Sequence, residues 1–254
     1  MTPRSFVMAG AVLITAATPF LASATEFSAP QRSEIETIVR EYLIAHPEVL
    51  QDAMAELEKK QNAAVAEKGK AAVKQYSQAL FMSPRQVTLG NHNGDVTFVE
   101  FFDYNCGYCK HAMSDMLTLL KDDSKLKVVL KEFPVLGPGS VEAAQVAVAV
   151  RMQDKTGKKY LEFHQKLLGG RQAADKARAL AVAKDVGLDM TQLQKDMQSP
   201  EVKATLEENF KLAEALGLNG TPSYVIGDKV VVGAVGLPAL QKDVNTATCG
   251  KETC

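Results

Sequence analysis

The sequence predicts an α/β protein in which one small sheet is interrupted by a long helical block and preceded by a helical arm. Three observations carry this reading. Val96–Phe102 is a nearly unbroken run of apolar, β-branched and aromatic residues, as expected of a strand covered on both faces. Residues 140–216 follow helical periodicity throughout, with breaks near Gly157, Gly169-Gly170, Gly187 and Ser199-Pro200. Ser223–Ile226 and Lys229–Val232 are short apolar runs joined by Gly227-Asp228, the pattern of a hairpin. The 254 residues are 46% hydrophobic, which supports a real core in one or two domains. A net charge of -1 lacks the basic footprint of a nucleic-acid binder, so none is expected as a partner.

Taken in order, the chain opens with Arg4, an apolar run from Phe6 to Leu21 and the small-x-small sequence Ala22-Ser23-Ala24. Thr15, Thr18 and Pro19 interrupt the run, so residues 1–24 read as a cleaved export signal rather than a membrane anchor. Helical spacing of Ile35, Ile38, Val39 and Tyr42 follows, with Ser33 and Glu36 placed as a capping box. His46-Pro47 breaks the pattern, and a second helix carries Val49, Leu50, Ala53, Met54 and Leu57. Residues 62–78 continue as helix with a weaker apolar face. Residues 25–80 thus form an arm whose apolar stripe it cannot bury alone. Self-association into a dimer or trimer is the expected use; the alternative is an arm lying along its own domain.

The catalytic portion is placed at 81–254, after turn chemistry around Ser83-Pro84 and Gly90–Gly94. Strands are expected at Gln86–Leu89, Val96–Phe102 and Leu126–Phe133, and a helix at Cys106–Leu120. The helical block, at about 138–217, precedes the hairpin, and a last helix covers Pro238–Thr246.

Cys106-Gly107-Tyr108-Cys109 follows a buried strand and opens a helix. Unpaired N–H groups at the helix start favour a thiolate on the first sulfur, which makes Cys106 the nucleophile. Cys109, one turn on and deeper, resolves the mixed disulfide. A structural disulfide or half of a zinc site are the competing readings, and the strand–helix context favours redox chemistry. Glu100 lies six residues before Cys106, in step with Phe98 and Phe102 on an apolar strand. A desolvated carboxyl there could take the proton of Cys109; the competing reading is a strand-end acid reaching solvent. Lys110 and His111 read as a solvated face. Gly220-Thr221-Pro222 suits a tight turn before a strand. Cys249 and Cys254 are expected to close a small tail disulfide.

The segment Val99-Glu100-Phe101-Phe102-Asp103-Tyr104-Asn105-Cys106-Gly107-Tyr108-Cys109-Lys110, with Gly220-Thr221-Pro222-Ser223, resembles DsbA-like thiol:disulfide interchange proteins. The resemblance implies a thioredoxin-like fold with an inserted helical domain, from about Gln86 to about Val244. It implies that Pro222 is cis and packs against the cysteine pair, that Thr221 touches the sulfurs, and that Glu100 is the family's buried acid. Thr221, Pro222, Gly107 and Tyr108 are the substrate contacts so assigned. The Gly-Tyr dipeptide, the threonine before the proline and the arm are similar to the suppressor-of-copper-sensitivity C (ScsC) group and related disulfide isomerases.

The expected function is therefore a periplasmic thiol:disulfide oxidoreductase of exported cysteine-containing proteins, with isomerisation favoured and a membrane redox partner. No cofactor is expected beyond the Cys106–Cys109 disulfide. The alternatives are a dithiol oxidase and, from another class, a copper-handling or chaperone-like binding protein whose thiols hold Cu(I).

Overall fold

A computed structural model describes residues 27–154 and 156–254; the export signal expected at 1–24 lies outside the described residues. The chain divides into two compact units, Met1–Leu57 and Glu58–Cys254.

In the first unit, helix α1 spans Ala29–Ala45 and α2 begins at Glu48. The expected capping box at Ser33 is not the helix start. Ser28 and Gln31 make that box instead, with Ser28 N donating to Gln31 Oε1 at 2.9 Å, and Pro30 in the first turn is already set to a helical φ. His46 N donates to Tyr42 O and closes α1 just before Pro47. No residue of α1 is buried.

The second unit holds the end of α2 (Glu48–Gln75), α3 (Ser77–Phe81) and a five-stranded sheet. The strands are β1 (Val87–Gly90), β2 (Val96–Phe102), β3 (Leu126–Glu132), β4 (Ser223–Ile226) and β5 (Lys229–Val232), in spatial order β1-β3-β2-β4-β5. Central β2 runs parallel to β3 and antiparallel to β4, with Glu100 opposite Leu130 on one side and Tyr224 on the other. Helix α4 (Gly107–Asp122) connects β2 to β3. The helical block comprises α5 (Pro138–Gln153), α6 (Lys158–Leu168), α7 (Lys176–Asp185), α8 (Met190–Met197) and α9 (Pro200–Ala215), and α10 (Leu237–Cys249) ends the fold.

The unbroken apolar run of β2 serves two cores at once. Phe98 and Phe102 face Met116 and Leu119 of α4, Leu240 of α10 and the helical block. Val99 and Phe101, at the alternate positions, face Ala72 and Val73 of α2, Leu80 of α3 and Leu212 of α9. On this second side β3 carries two buried lysines. Lys127 Nζ donates to Phe81 O at 2.8 Å and Lys131 Nζ to Ala79 O at 3.0 Å, so both ammonium groups satisfy carbonyls of α3. Burial pushes Lys131 down to about 8.

Gly69, Ala72, Val73 and Leu80, which the sequence reading places in the arm, are buried in this unit. Gly69 passes so close to β5 that a Cβ on it would meet Val230 Cγ2 at 3.1 Å, and Lys70 pairs with Asp228 at 2.9 Å. Their helical periodicity is the same in an arm or in a core, and only the docking partner separates the two.

Candidate active site

Buried β2 ends at Phe102, and the chain turns through Asp103-Tyr104-Asn105 into α4, with Cys106 as its N-cap. Cys106 Sγ accepts from Cys109 N at 3.3 Å and donates to Thr221 O at 3.2 Å. The Thr221-Pro222 peptide is cis. Cys106, Cys109, Thr221 and Pro222 are thus brought together from two distant stretches of chain. Both cysteines are free thiols, Cys106 at 6% exposure and Cys109 at 0%. Tyr108 points outward at 70% exposure. A Cβ on Gly107 would meet nothing within 4 Å, so the glycine is not demanded by sterics.

Beneath the sulfurs, Glu100 is buried and its Oε2 has no hydrogen-bond partner. Desolvation, with a smaller contribution from Asp115 of α4, pushes its carboxyl up to about 8. Desolvation also drives the Cys109 thiol well up, and the charge of Glu100 adds to that shift. Tyr224, paired in register with Glu100, closes the same pocket, and burial raises its phenol too.

Two residues missed by the sequence reading hold the loop in place. Asp103 Oδ1 accepts from Asn105 N at 2.8 Å and Ser140 Oγ at 2.7 Å; its Oδ2 accepts from Val135 N at 2.8 Å and Leu136 N at 2.9 Å. The Asn105 amide bonds Ala174 at both its N and O and also reaches Ser140 Oγ. Active-site loop, β3–α5 connection and helical block are thereby tied together. Asp and Asn two residues apart in a turn are ordinary loop chemistry, so their partners were not legible in sequence. Lys110 departs from expectation: rather than a solvated face it donates from Nζ to Gly170 O at 2.8 Å, because the α6–α7 connection folds over the first turn of α4.

Farther in, Tyr160 Oη donates to Glu132 Oε1 at 2.5 Å, and the hydroxyls of Tyr104 and Tyr160 meet at 3.4 Å. His164 shares this buried cluster, where desolvation holds it down to about 3. Cys249 and Cys254 form the expected tail disulfide. Among the described residues, no three His, Cys, Asp or Glu side chains gather as a metal-binding group.

Two families match. The DSBA-like thioredoxin domain covers residues 97–245, and the copper resistance protein ScsC N-terminal domain covers residues 31–64. A thioredoxin-like oxidoreductase from Silicibacter pomeroyi DSS-3 is 45% identical over 67% of this chain and 96% of that one, with a TM-score of 0.64. Proteus mirabilis ScsC in a transitional conformation is 28% identical over 90% of this chain and all (100%) of that one, with a TM-score of 0.64. The probable disulfide bond formation protein D of Bacillus cereus is 26% identical over 161 residues, 59% of this chain and 74% of that protein. The chain spans about a quarter of the length of the Na(+)/H(+) antiporter NhaA relatives it matches, 24% for that of Salinispora arenicola at 25% identity over 163 residues, 63% of this chain.

Proposed function

Because the chain belongs to the family of DSBA-like thioredoxin domains, whose chemistry is thiol–disulfide oxidoreduction, we propose that it is a periplasmic disulfide isomerase that associates through its N-terminal arm. In this reading Cys106 attacks a substrate disulfide, forming a mixed disulfide and releasing one substrate thiolate. Attack by a different substrate thiolate on that mixed disulfide yields a reshuffled bond and returns Cys106. If no such thiolate arrives, Cys109 gives its proton to Glu100 and displaces the substrate, leaving the Cys106–Cys109 disulfide for a membrane electron donor to reduce. Pro222 and Thr221 line the nucleophile and receive an extended substrate, with Gly107 and Tyr108 at its other side.

The observation that carries the isomerase reading is the arm's apolar stripe. Ile38, Val39, Tyr42, Leu50, Met54 and Leu57 are each at least half exposed, at 50–71%. A second copy would cover that stripe and set several nucleophiles around one misfolded chain, raising the chance of a second attack before escape. The test compares the mature chain from Thr25 with a form beginning at Glu58, by light scattering and by reactivation of scrambled ribonuclease. The longer form is expected to be oligomeric and active, and the shorter one a monomer that oxidises dithiols but reshuffles poorly. A monomeric mature chain would remove the reading's support. Similarity to the Bacillus disulfide bond formation protein favours a second reading, a dithiol oxidase. The resting state of Cys106–Cys109 separates them: reduced for an isomerase, oxidised for an oxidase.

A further inference from the structure

On the helical-block side of the nucleophile, a cleft of about 290 Å3 opens between the first turn of α4 and the α6–α7 connection. Cys106 and Gly107 form one wall, Gly170, Arg171 and Gln172 the other, and Lys110 reaches across to Gly170 O. Two lining side chains are cationic and none is a carboxylate. Arg178 adds a third positive charge at the loop. Its Nη2 lies 3.7 Å from where a Cβ on Gly170 would stand, and its buried Nε has no hydrogen-bond partner. The carboxylate of Asp103, three residues before Cys106, is buried and occupied by four hydrogen bonds. The reacting sulfur therefore stands at the rim of a small, positively charged recess. Its size falls at the lower end of small-molecule sites.

We propose that this cleft is an anionic subsite that takes the carboxylate-bearing half of a small disulfide. The inference rests on thiol–disulfide exchange at Cys106 and adds a substrate class to it. Cys106 thiolate attacks one sulfur of the small disulfide, the S–S bond breaks, and one small thiolate leaves. Cys109 thiolate then attacks Cys106 Sγ and expels the second, so the protein dithiol is oxidised and the small disulfide is reduced to two thiols. Lys110 and Arg171 act on the approach and holding of the charged half, not on the electrons.

The reduced mature protein is mixed separately with glutathione disulfide, hydroxyethyl disulfide and cystamine, which are anionic, neutral and cationic. Oxidation is followed by acid quench and mass spectrometry, and each rate is divided by that of dithiothreitol with the same disulfide. The normalised anionic-to-cationic ratio should be roughly tenfold, and should fall toward one in Lys110→Gln/Arg171→Gln and in high salt. A ratio near one in the wild-type protein, or a ratio unchanged in the double variant, would overturn the subsite while leaving oxidoreduction intact. No reaction with any of the three would remove both.

Discussion

Glu100 sits on β2 opposite Leu130 and Tyr224, and no hydrogen bond reaches its Oε2. Its folded pKa of about 8 is raised above the ordinary carboxyl value of 4.5. The stability this group contributes is therefore present below about pH 4.5 and is lost as pH rises through about 8, because the unfolded chain ionises first. Glu100→Gln removes that loss. It is expected to be more stable than the parent at neutral pH, by on the order of 5 kcal/mol above pH 8, with the gap closing at pH 4. Urea midpoints across pH 4–9 check this, and parallel curves for the two proteins would contradict the assigned burial. The same substitution should slow resolution more than first attack, seen in rapid mixing as accumulated mixed disulfide. Cys109→Ser should trap substrates covalently, whereas Cys106→Ser should be inert in insulin reduction. Substantial turnover by Cys106→Ser would reverse the assignment of the nucleophile.

At the scale of elements, the loop between β2 and α4 owes its shape to a carboxylate rather than to the cysteines. Asp103 gathers donors from its own turn, from the β3–α5 connection and from α5. Asp103→Ala removes the acceptor of all four of these hydrogen bonds, a cost of about 2–6 kcal/mol at roughly 0.5–1.5 kcal/mol each. It should lower the urea midpoint and also slow insulin reduction, because the Cys106 N–H is bonded to the Asp103 carbonyl in the same turn. Loss of stability with full activity would separate the clamp from the site. The helical stretches from α4 to α10 were legible in sequence because their apolar residues recur at helical spacing between turn-forming breaks. Lys127 and Lys131 were not, since a lysine inside a strand looks exposed until the carbonyls of α3 arrive above it.

For the whole molecule, where the arm ends decides what a truncation does. A chain starting at Glu58 retains Ala72, Val73 and Leu80 against Val99, Phe101 and Val129. A chain starting at Phe81 loses them. Fully burying a Val or Leu side chain is worth about 1.5–3 kcal/mol, and the Lys131 ammonium loses the Ala79 carbonyl as well. The first truncation should unfold cooperatively with near-parental stability, and the second should fail to do so by circular dichroism melts. Equal melting of both would show that α2 and α3 only rest on the sheet.

The sequence by itself determined the order of strands and helices, the Cys106–Cys109 pair at a helix start and the acid six residues before it, because each is written in local spacing: period two, period 3.6, and Cys-x-x-Cys after a strand. Tertiary structure decided which helical residues are core and which are arm, which turn residues clamp the active loop, and that Lys110 and Arg171 share a cleft with Cys106. Those outcomes depend on partners far along the chain, 35 positions for Ser140 and Asn105 and 115 for Thr221 and Cys106. No local pattern encodes which distant carbonyl or carboxylate a polar side chain will meet, and burial, which sets the proton affinity of Glu100 and Cys109, exists only once the layers have closed.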